Sequence, residues 1–251
     1  MPEPTSSLAI IILAAGKGVR MQSDLPKVLH LLDGRPLVQH VIQTSRQLDP
    51  TKIVMVVGHR ADLTRQIIGH SVLYVEQAEQ LGTGHAVAQA ETLLGDHRGN
   101  ILILYGDMPL LTSSTLRKLV DLQADNPGPL TMLTVTADNP RGFGRILRDE
   151  TGAVIAIVEE ADCTAAQLAI KELNVGVYCI EAGWLWSNLA NIQVSPKGEY
   201  YLTDLVAIAV QQGRQIWVVT TTDLVETLGI NTKSHLTEAE AALKSRRSRH
   251  S

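Results

Sequence analysis

The chain predicts an α/β fold, a Rossmann-like mixed but mainly parallel sheet with helices on both faces. Three observations carry this. Apolar runs at residues 8–13, 52–57 and 101–105 are short, rich in β-branched residues and closed by small residues, so each reads as a strand buried on both faces. Amphipathic segments lie between them, and strand and helix alternate three times in about 120 residues. The first and third runs lead into a glycine-rich loop and a Gly-Asp pair, at the carboxyl strand ends where such sheets bind ligands.

The strand at 8–13 leads into Ala14-Ala15-Gly16-Lys17-Gly18-Val19-Arg20. Small residues let backbone approach a ligand closely, and successive N–H groups in such a turn form a nest for phosphate oxygens. Lys17 and Arg20 add positive charge. A dinucleotide fingerprint requires a third glycine three residues after Gly18, where Met21 stands, and a Walker A loop requires Gly-Lys-Ser/Thr, so neither applies. Pro26 keeps Leu25 out of the α region and stiffens the approach to Lys27, a point charge that can reach back over the glycine loop.

Residues 36–48 read as a helix with Leu37, Val38, Val41 and Ile42 on one face and Pro36 at its start. A second helix follows at 60–68 and a short strand at 72–75. Gln77 comes next, its amide able to read the edge of a base. Gly82-Thr83-Gly84 opens a helix running to Leu94, with Thr83 or a neighbour as cap and free N–H groups at its start. His85 reads as structural. The strand at 101–105 delivers Gly106-Asp107 to its carboxyl end. A carboxylate there suits Mg²⁺, which takes one or two protein oxygens and completes its shell with phosphates and water. Ser113-Ser114 are expected to cap a helix carrying Leu116, Leu119 and Val120.

Past Asn126-Pro127-Gly128-Pro129 the rhythm changes. Strands are expected at 130–136, 145–148, 153–158 and 174–180, with few long helices between them. This more antiparallel half should extend the sheet and supply a lid for a second substrate. Residues 163–171 read as helical, 201–211 as a helix, 215–220 as a strand and 235–244 as a final amphipathic helix.

Composition narrows the function. Of 251 residues, 45% are hydrophobic and 19% charged, enough core for an ordered enzyme-sized unit. A net charge of −4 argues against a general nucleic-acid or membrane surface. Cys163 and Cys179 form no Cys-x-x-Cys pair, so neither a disulfide framework nor a zinc site is expected. The acidic, Pro-rich start MPEPTSS is no signal region, and no apolar stretch approaches a membrane span. A cytoplasmic protein is expected, with Arg246-Arg247-Ser248-Arg249 as a solvated basic tail.

Several motifs together resemble the sugar-1-phosphate nucleotidyltransferases. They are Leu13-Ala14-Ala15-Gly16-x-Gly18-x-Arg20-Met21, Leu25-Pro26-Lys27, Gln77-x-x-Gln80-Leu81-Gly82-Thr83-Gly84-His85-Ala86 and Tyr105-Gly106-Asp107-x-Pro109-Leu110. The likeness continues through Gly142-Phe143-Gly144-Arg145-Ile146, Val158-Glu159-Glu160, Glu172-Leu173-Asn174-x-Gly176, Gly198-Glu199-Tyr200-Tyr201-Leu202-Thr203-Asp204 and Gly229-Ile230-Asn231. Within the family it is strongest to the uridylyltransferase (pyrophosphorylase) branch that makes UDP-N-acetylglucosamine for cell-wall peptidoglycan.

The resemblance implies the nucleotide-diphospho-sugar transferase fold and a set of roles. Leu13, Ala14, Ala15 and Gly16 would line the nucleotide. Arg20 and Lys27 would contact phosphates, and Gln77, Gly82 and Thr83 would hold the uracil. Tyr105, Gly106 and Asp107 would lie beside ribose and metal. Gly144, Glu159 and Asn174 would bind the amino sugar, with Tyr201 and Thr203 nearby, and Asn231 would join Asp107 on Mg²⁺ at the sugar-phosphate side. The implied partners are UTP and a sugar 1-phosphate.

Two departures bear on the sugar: Phe143 stands where the family more often has Tyr, and Ala161 where a basic residue usually follows Glu159-Glu160. Alternatives are UTP or dTTP with glucose 1-phosphate, and a nucleotide-sugar-binding regulator without turnover. Residues 1–231 are expected to form the nucleotidyltransferase domain and 232–251 a helix and tail. No hexapeptide repeat is present, so the β-helix acetyltransferase domain of the bifunctional enzymes is expected to be absent and the chain monomeric.

Overall fold

The structure, a computed structural model, describes residues 7–248. The readings made for the first six residues and for Arg249 lie outside it.

The first strand, β1 (Leu8–Ala14), is buried along its whole length. It lies between β4 (Lys52–Val57) and β6 (Asn100–Tyr105), parallel to both, and β5 (Leu73–Glu76) adds a further parallel edge. On the other side of β6 the second half of the chain joins. β10 (Glu172–Glu181) runs antiparallel to β6 and to β7 (Leu130–Thr136), and β11 (Ile216–Thr221) closes that side parallel to β7. A hairpin of β8 (Arg145–Arg148) and β9 (Val154–Val158) branches from β10. The resulting order is β11-β7-β10-β6-β1-β4-β5. The expected parallel first half and more antiparallel second half are both present.

Strand alternation divides the core. Leu8, Ile10 and Ile12 face one layer, under α1 (Leu37–Arg46), α2 (Ala61–Ile68) and α5 (Ser113–Asp125). Ala9, Ile11 and Leu13 face the other, under α3 (Thr83–Gln89), α4 (Glu91–Leu94), α7 (Ala182–Leu189) and α8 (Asp204–Gln211). Burying one such aliphatic side chain stabilises by about 1.5–3 kcal/mol, so truncating Ile11 to Ala would cost roughly 2–5 kcal/mol once the cavity is included. A third cluster places α9 (Lys233–Ser248) against Leu32, Leu37 and Leu110 through Ala239 and Leu236.

Several local expectations need correction. The helix at 113–125 is capped by Thr112, whose hydroxyl accepts from the Thr115 N–H at 3.2 Å, not by Ser113 or Ser114. The helix expected over 163–171 shrinks to α6 (Ala165–Leu168), started by a Thr164–Gln167 capping box. Helix α7 had not been expected: Glu181 caps it by accepting from the N–H groups of Gly183 and Trp184 at 2.8 and 2.6 Å. A small hairpin, β2 (Leu31–Leu32) and β3 (Arg35–Pro36), turns on Asp33-Gly34, both at positive φ, a two-residue turn signal that was present in the sequence.

Two features of the sheet position the site. The register sets Leu13 beside Tyr105, so the loops after β1 and β6 leave the sheet side by side. Strand β10 slips register between Asn174 and Tyr178, where Gly176 takes φ +84°. A side chain at Gly176 would strike the ring of Tyr105, its Cβ falling 2.7 Å from a ring carbon. The glycine thus lets Tyr105 lie flat against β10 at the carboxyl end of β6.

Candidate active site

A cleft of about 460 Å³ opens over the carboxyl ends of β1, β5 and β6 and beneath the β8–β9 hairpin. Every residue singled out as a site residue lines it except Arg20 and Gly106. Gly106 serves by packing: a Cβ there would fall 3.1–3.2 Å from Val28 and Val38, and its N–H donates to the Leu13 carbonyl at 2.9 Å. Arg20 is exposed at the rim and donates to Asn231 Oδ1 at 3.1 Å.

One end of the cleft is cationic. Lys27 sits under the glycine loop, and a Cβ on Gly18 would lie 2.7 Å from the Lys27 Cβ. Its ammonium forms an ion pair with Asp107 and donates to Asn231 Oδ1 at 2.9 Å. The Asp107 carbonyl accepts from the Ile230 N–H at 2.9 Å, which pins the Gly229-Ile230-Asn231 turn onto the end of β6. Arg20, Lys27, Asp107 and Asn231 therefore meet although they come from three distant parts of the chain. Asp107 and Asn231 are also the pair able to hold a hard cation. Both offer oxygens, and both already converge on one cationic group, the Lys27 ammonium.

Of the N–H groups in the Gly82-Thr83-Gly84 segment, that of Gly84 is already used. Gly84 donates to the Tyr200 carbonyl at 2.8 Å, Tyr200 donates to the Leu81 carbonyl at 2.8 Å, and Leu202 donates to Thr83 Oγ1 at 3.0 Å. Gly82 caps α3 at φ +101°, and a Cβ there would lie 2.6–2.7 Å from Tyr200 backbone atoms. The motifs at residues 77–86 and 198–204 thus form one clasp along the cleft wall, a pairing that neither motif signals alone. Gln80 belongs to the same wall, its amide donating to the Gln77 carbonyl at 3.0 Å, a site position that the sequence marks only through its motif.

The opposite end is acidic and hydroxylic. Glu159 Oε1 accepts from the Thr203 hydroxyl at 3.0 Å. Burial holds the Glu159 carboxyl above its ordinary pKa, the charges of Asp162 and Asp204 add to that, and the Thr203 hydrogen bond opposes it. A Cβ on Gly144 would meet Ile157 at 2.9 Å, so the glycine lets the hairpin close over Glu159. Tyr201 lines the same end. The Asn174 amide is largely committed: Nδ2 donates to the Tyr178 hydroxyl at 2.7 Å, and Oδ1 accepts from Gly176 N–H at 3.1 Å. It holds the β10 bulge and keeps one N–H and one lone pair for the cleft. Among the described residues no helix is long and apolar enough to cross a membrane.

Comparison with known proteins agrees with this architecture. The bifunctional protein GlmU of Brevibacillus brevis is 44% identical over 242 residues, 96% of this chain and 52% of that protein. The GlmU of Dechloromonas aromatica is 47% identical over 233 residues, 92% and 51% of the two chains. The chain spans about half the length of these curated relatives. A solved Bacillus anthracis structure in complex with sucrose, provisionally named a glucose-1-phosphate thymidylyltransferase, superposes with a TM-score of 0.76 over 94% of this chain and 95% of that one. At 19% identity that likeness shows a shared fold. The MobA-like NTP transferase domain matches residues 10–166, which hold the glycine loop, the clasp glycines and Asp107, and the chain belongs to that family.

Proposed function

We propose that the chain transfers UMP from UTP to N-acetylglucosamine 1-phosphate and releases pyrophosphate, with Mg²⁺ as cofactor. The likeness to the GlmU proteins and the motif resemblance support this substrate pair. The observation that carries the reading is the meeting of Arg20, Lys27, Asp107 and Asn231 beside the glycine loop, with Glu159 and Thr203 at the other end of one cleft.

The chemistry requires little else. A sugar-phosphate oxygen attacks the α-phosphorus, a new P–O bond forms, and the bond to the departing pyrophosphate breaks. The second pKa of a phosphate monoester is about 6, so this nucleophile is mostly ionised at neutral pH and needs no general base. Two polyanions must instead be neutralised and aligned. Lys27 supplies charge inside the cleft, and Arg20 at its rim faces the departing pyrophosphate. The glycine loop lets phosphate approach backbone N–H groups. A Mg²⁺ held by Asp107 and Asn231 would supply charge neutralisation and orient phosphate oxygens. Glu159 is negative and faces sugar hydroxyls, with Thr203 fixing its carboxylate. Residues 1–231 act as the transferase unit, and the helix beyond braces the turn that carries Asn231.

The test is a panel of UTP, dTTP, N-acetylglucosamine 1-phosphate and glucose 1-phosphate, read as pyrophosphate release. The N-acetylated sugar with UTP should give the highest kcat/KM, and Asp107→Ala should lower it by roughly 10²–10³-fold, the scale of losing one electrostatic stabiliser. Better use of glucose 1-phosphate would overturn the sugar assignment. Equal release by Asp107→Ala and the unaltered chain would overturn the metal assignment.

A further inference from the structure

Gln77 lies just past β5, 3% exposed, with its backbone N–H donating to the Val57 carbonyl at 2.8 Å. Its side-chain nitrogen donates to the Gly82 carbonyl at 3.0 Å and stands 3.1 Å from Nδ1 of His85, one turn into α3. A carbonyl oxygen can only accept, so the amide nitrogen and not the amide oxygen must face Gly82. With the nitrogen placed there, His85 Nδ1 must also accept, which requires a neutral imidazole carrying its proton on Nε2. Both amide hydrogens are then used. The Gln77 Oε1 accepts no hydrogen bond from any described residue, and Gln77 lines the cleft. The cleft therefore meets an acceptor at this point.

We propose that His85 is a positioning residue for base selection: together with the Gly82 carbonyl it holds the Gln77 amide in the one orientation that presents Oε1 to the imide N–H of uracil and turns away cytosine. The proposal rests on the reading that Gln77 faces the base. Uracil and cytosine have the same shape and differ at this edge, where uracil N3 carries a hydrogen and cytosine N3 a lone pair. A fixed acceptor attracts the first and repels the second. If the amide could turn over, its N–H groups would serve cytosine instead. The Gly82 carbonyl alone restrains one hydrogen; His85 supplies the second restraint. His85 touches neither nucleotide nor sugar in this scheme and acts through Gln77.

The experiment measures kcat/KM for UTP and CTP with His85→Leu, His85→Asn and Gln77→Ala. Asparagine can place an acceptor oxygen near the position of Nδ1, whereas leucine cannot. The UTP-to-CTP ratio should fall about tenfold in His85→Leu, the scale of one lost hydrogen bond, and stay within about threefold of the unaltered chain in His85→Asn. A merely structural role would lower both nucleotides together and leave the ratio unchanged, and that result would overturn the proposal. If Gln77→Ala leaves the ratio unchanged, the base-facing reading of Gln77 fails. If Gln77→Ala collapses the ratio and His85→Leu does not, only the role of His85 fails. A folding defect in His85→Leu leaves a second measurement on the unaltered chain. Nitrogen-15 spectra, assigned by the resonance missing in His85→Asn, must show an unprotonated Nδ1, and a protonated Nδ1 would overturn the proposal.

Discussion

Replacing Lys27 with Met should separate folding from cation binding at the end of β6. Lys27 and Asp107 are largely buried, with side-chain exposures of 18% and 10%, and Asn231 shares the ammonium. Removing one partner of a buried pair costs about 3–5 kcal/mol, and the residual exposure puts this pair at the lower end, about 3 kcal/mol. For a chain of this size 1 kcal/mol moves the midpoint by about 2–4 °C, so Tm should fall by about 6–12 °C without metal. The variant also takes the ammonium from between the Asp107 and Asn231 oxygens and leaves only the rim guanidinium of Arg20 on Asn231. Mg²⁺ at ten times its Kd returns about 1.4 kcal/mol, close to half the loss. The assay is thermal unfolding of both proteins with and without Mg²⁺, in the absence of nucleotide. The unaltered chain should respond weakly, because the ammonium already holds both oxygens, and Lys27→Met should respond by several degrees. An equal response in both proteins would refute the view that, without nucleotide, the Lys27 ammonium occupies the oxygens a metal would use.

Other perturbations follow from the same geometry. Gly82→Ala forces a Cβ to within 2.6–2.7 Å of the Tyr200 backbone at φ +101°; strain of about 1–3 kcal/mol and a broken clasp should lower Tm and raise the UTP KM at least about tenfold. Gly16→Ala meets nothing within 4 Å, so stability should stay within about 0.5 kcal/mol while kcat/KM drops, and a matching loss of stability would argue against a phosphate role for that loop. Glu159→Gln removes a carboxylate whose burial raises its pKa. The native state holds that proton at pH values where the unfolded chain has lost it, so this group lowers stability as pH rises through the window between the two pKa values. The advantage of Glu159→Gln in Tm should accordingly be absent below the unfolded value and grow above it, while kcat/KM for the sugar phosphate falls by roughly 10–150-fold. In the unaltered chain the sugar-phosphate KM should rise on acidification earlier than an ordinary carboxylate would dictate, and no such rise in a pH–KM profile would remove Glu159 from the sugar site. Thr112→Ala should cost about 1–2 kcal/mol by chemical denaturation, and Thr112→Ser much less.

The legible parts of the fold share one physical cause. Strands β1, β4 and β6 are buried on both faces or nearly so, and continuous apolar runs bounded by small residues announce that environment directly. The helices that were misjudged lack such a signature. Helix α7 carries two tryptophans, a glycine and an asparagine, and its start depends on a carboxylate at the end of a strand. In the site, local chemistry placed the glycine loop, Lys27 and Asp107, and the family resemblance supplied Asn231 and Glu159. What neither conveyed were the contacts made across the chain: the clasp between residues 81–84 and 200–202 and the Ile230 hydrogen bond to Asp107. Hydrogen-bond partners at that separation leave no periodic trace in a sequence.

The turn that carries Asn231 also sets when the protein becomes competent during its own synthesis. Lys27 and Asn231 are 204 residues apart, so at about 5–20 residues per second some 10–40 s separate their translation. In the later part of that interval β1, β4, β5 and β6 have been made with their loops, but Asp107 lacks the Ile230 tether and the clasp glycines lack the Tyr200 backbone. A nascent chain therefore holds a nucleotide-sized hollow with neither its cation cradle nor its far wall. Retention of a nucleotide by chains of increasing length should therefore set in only once the turn at Asn231 has been made, which makes it a reporter of the docking of that turn.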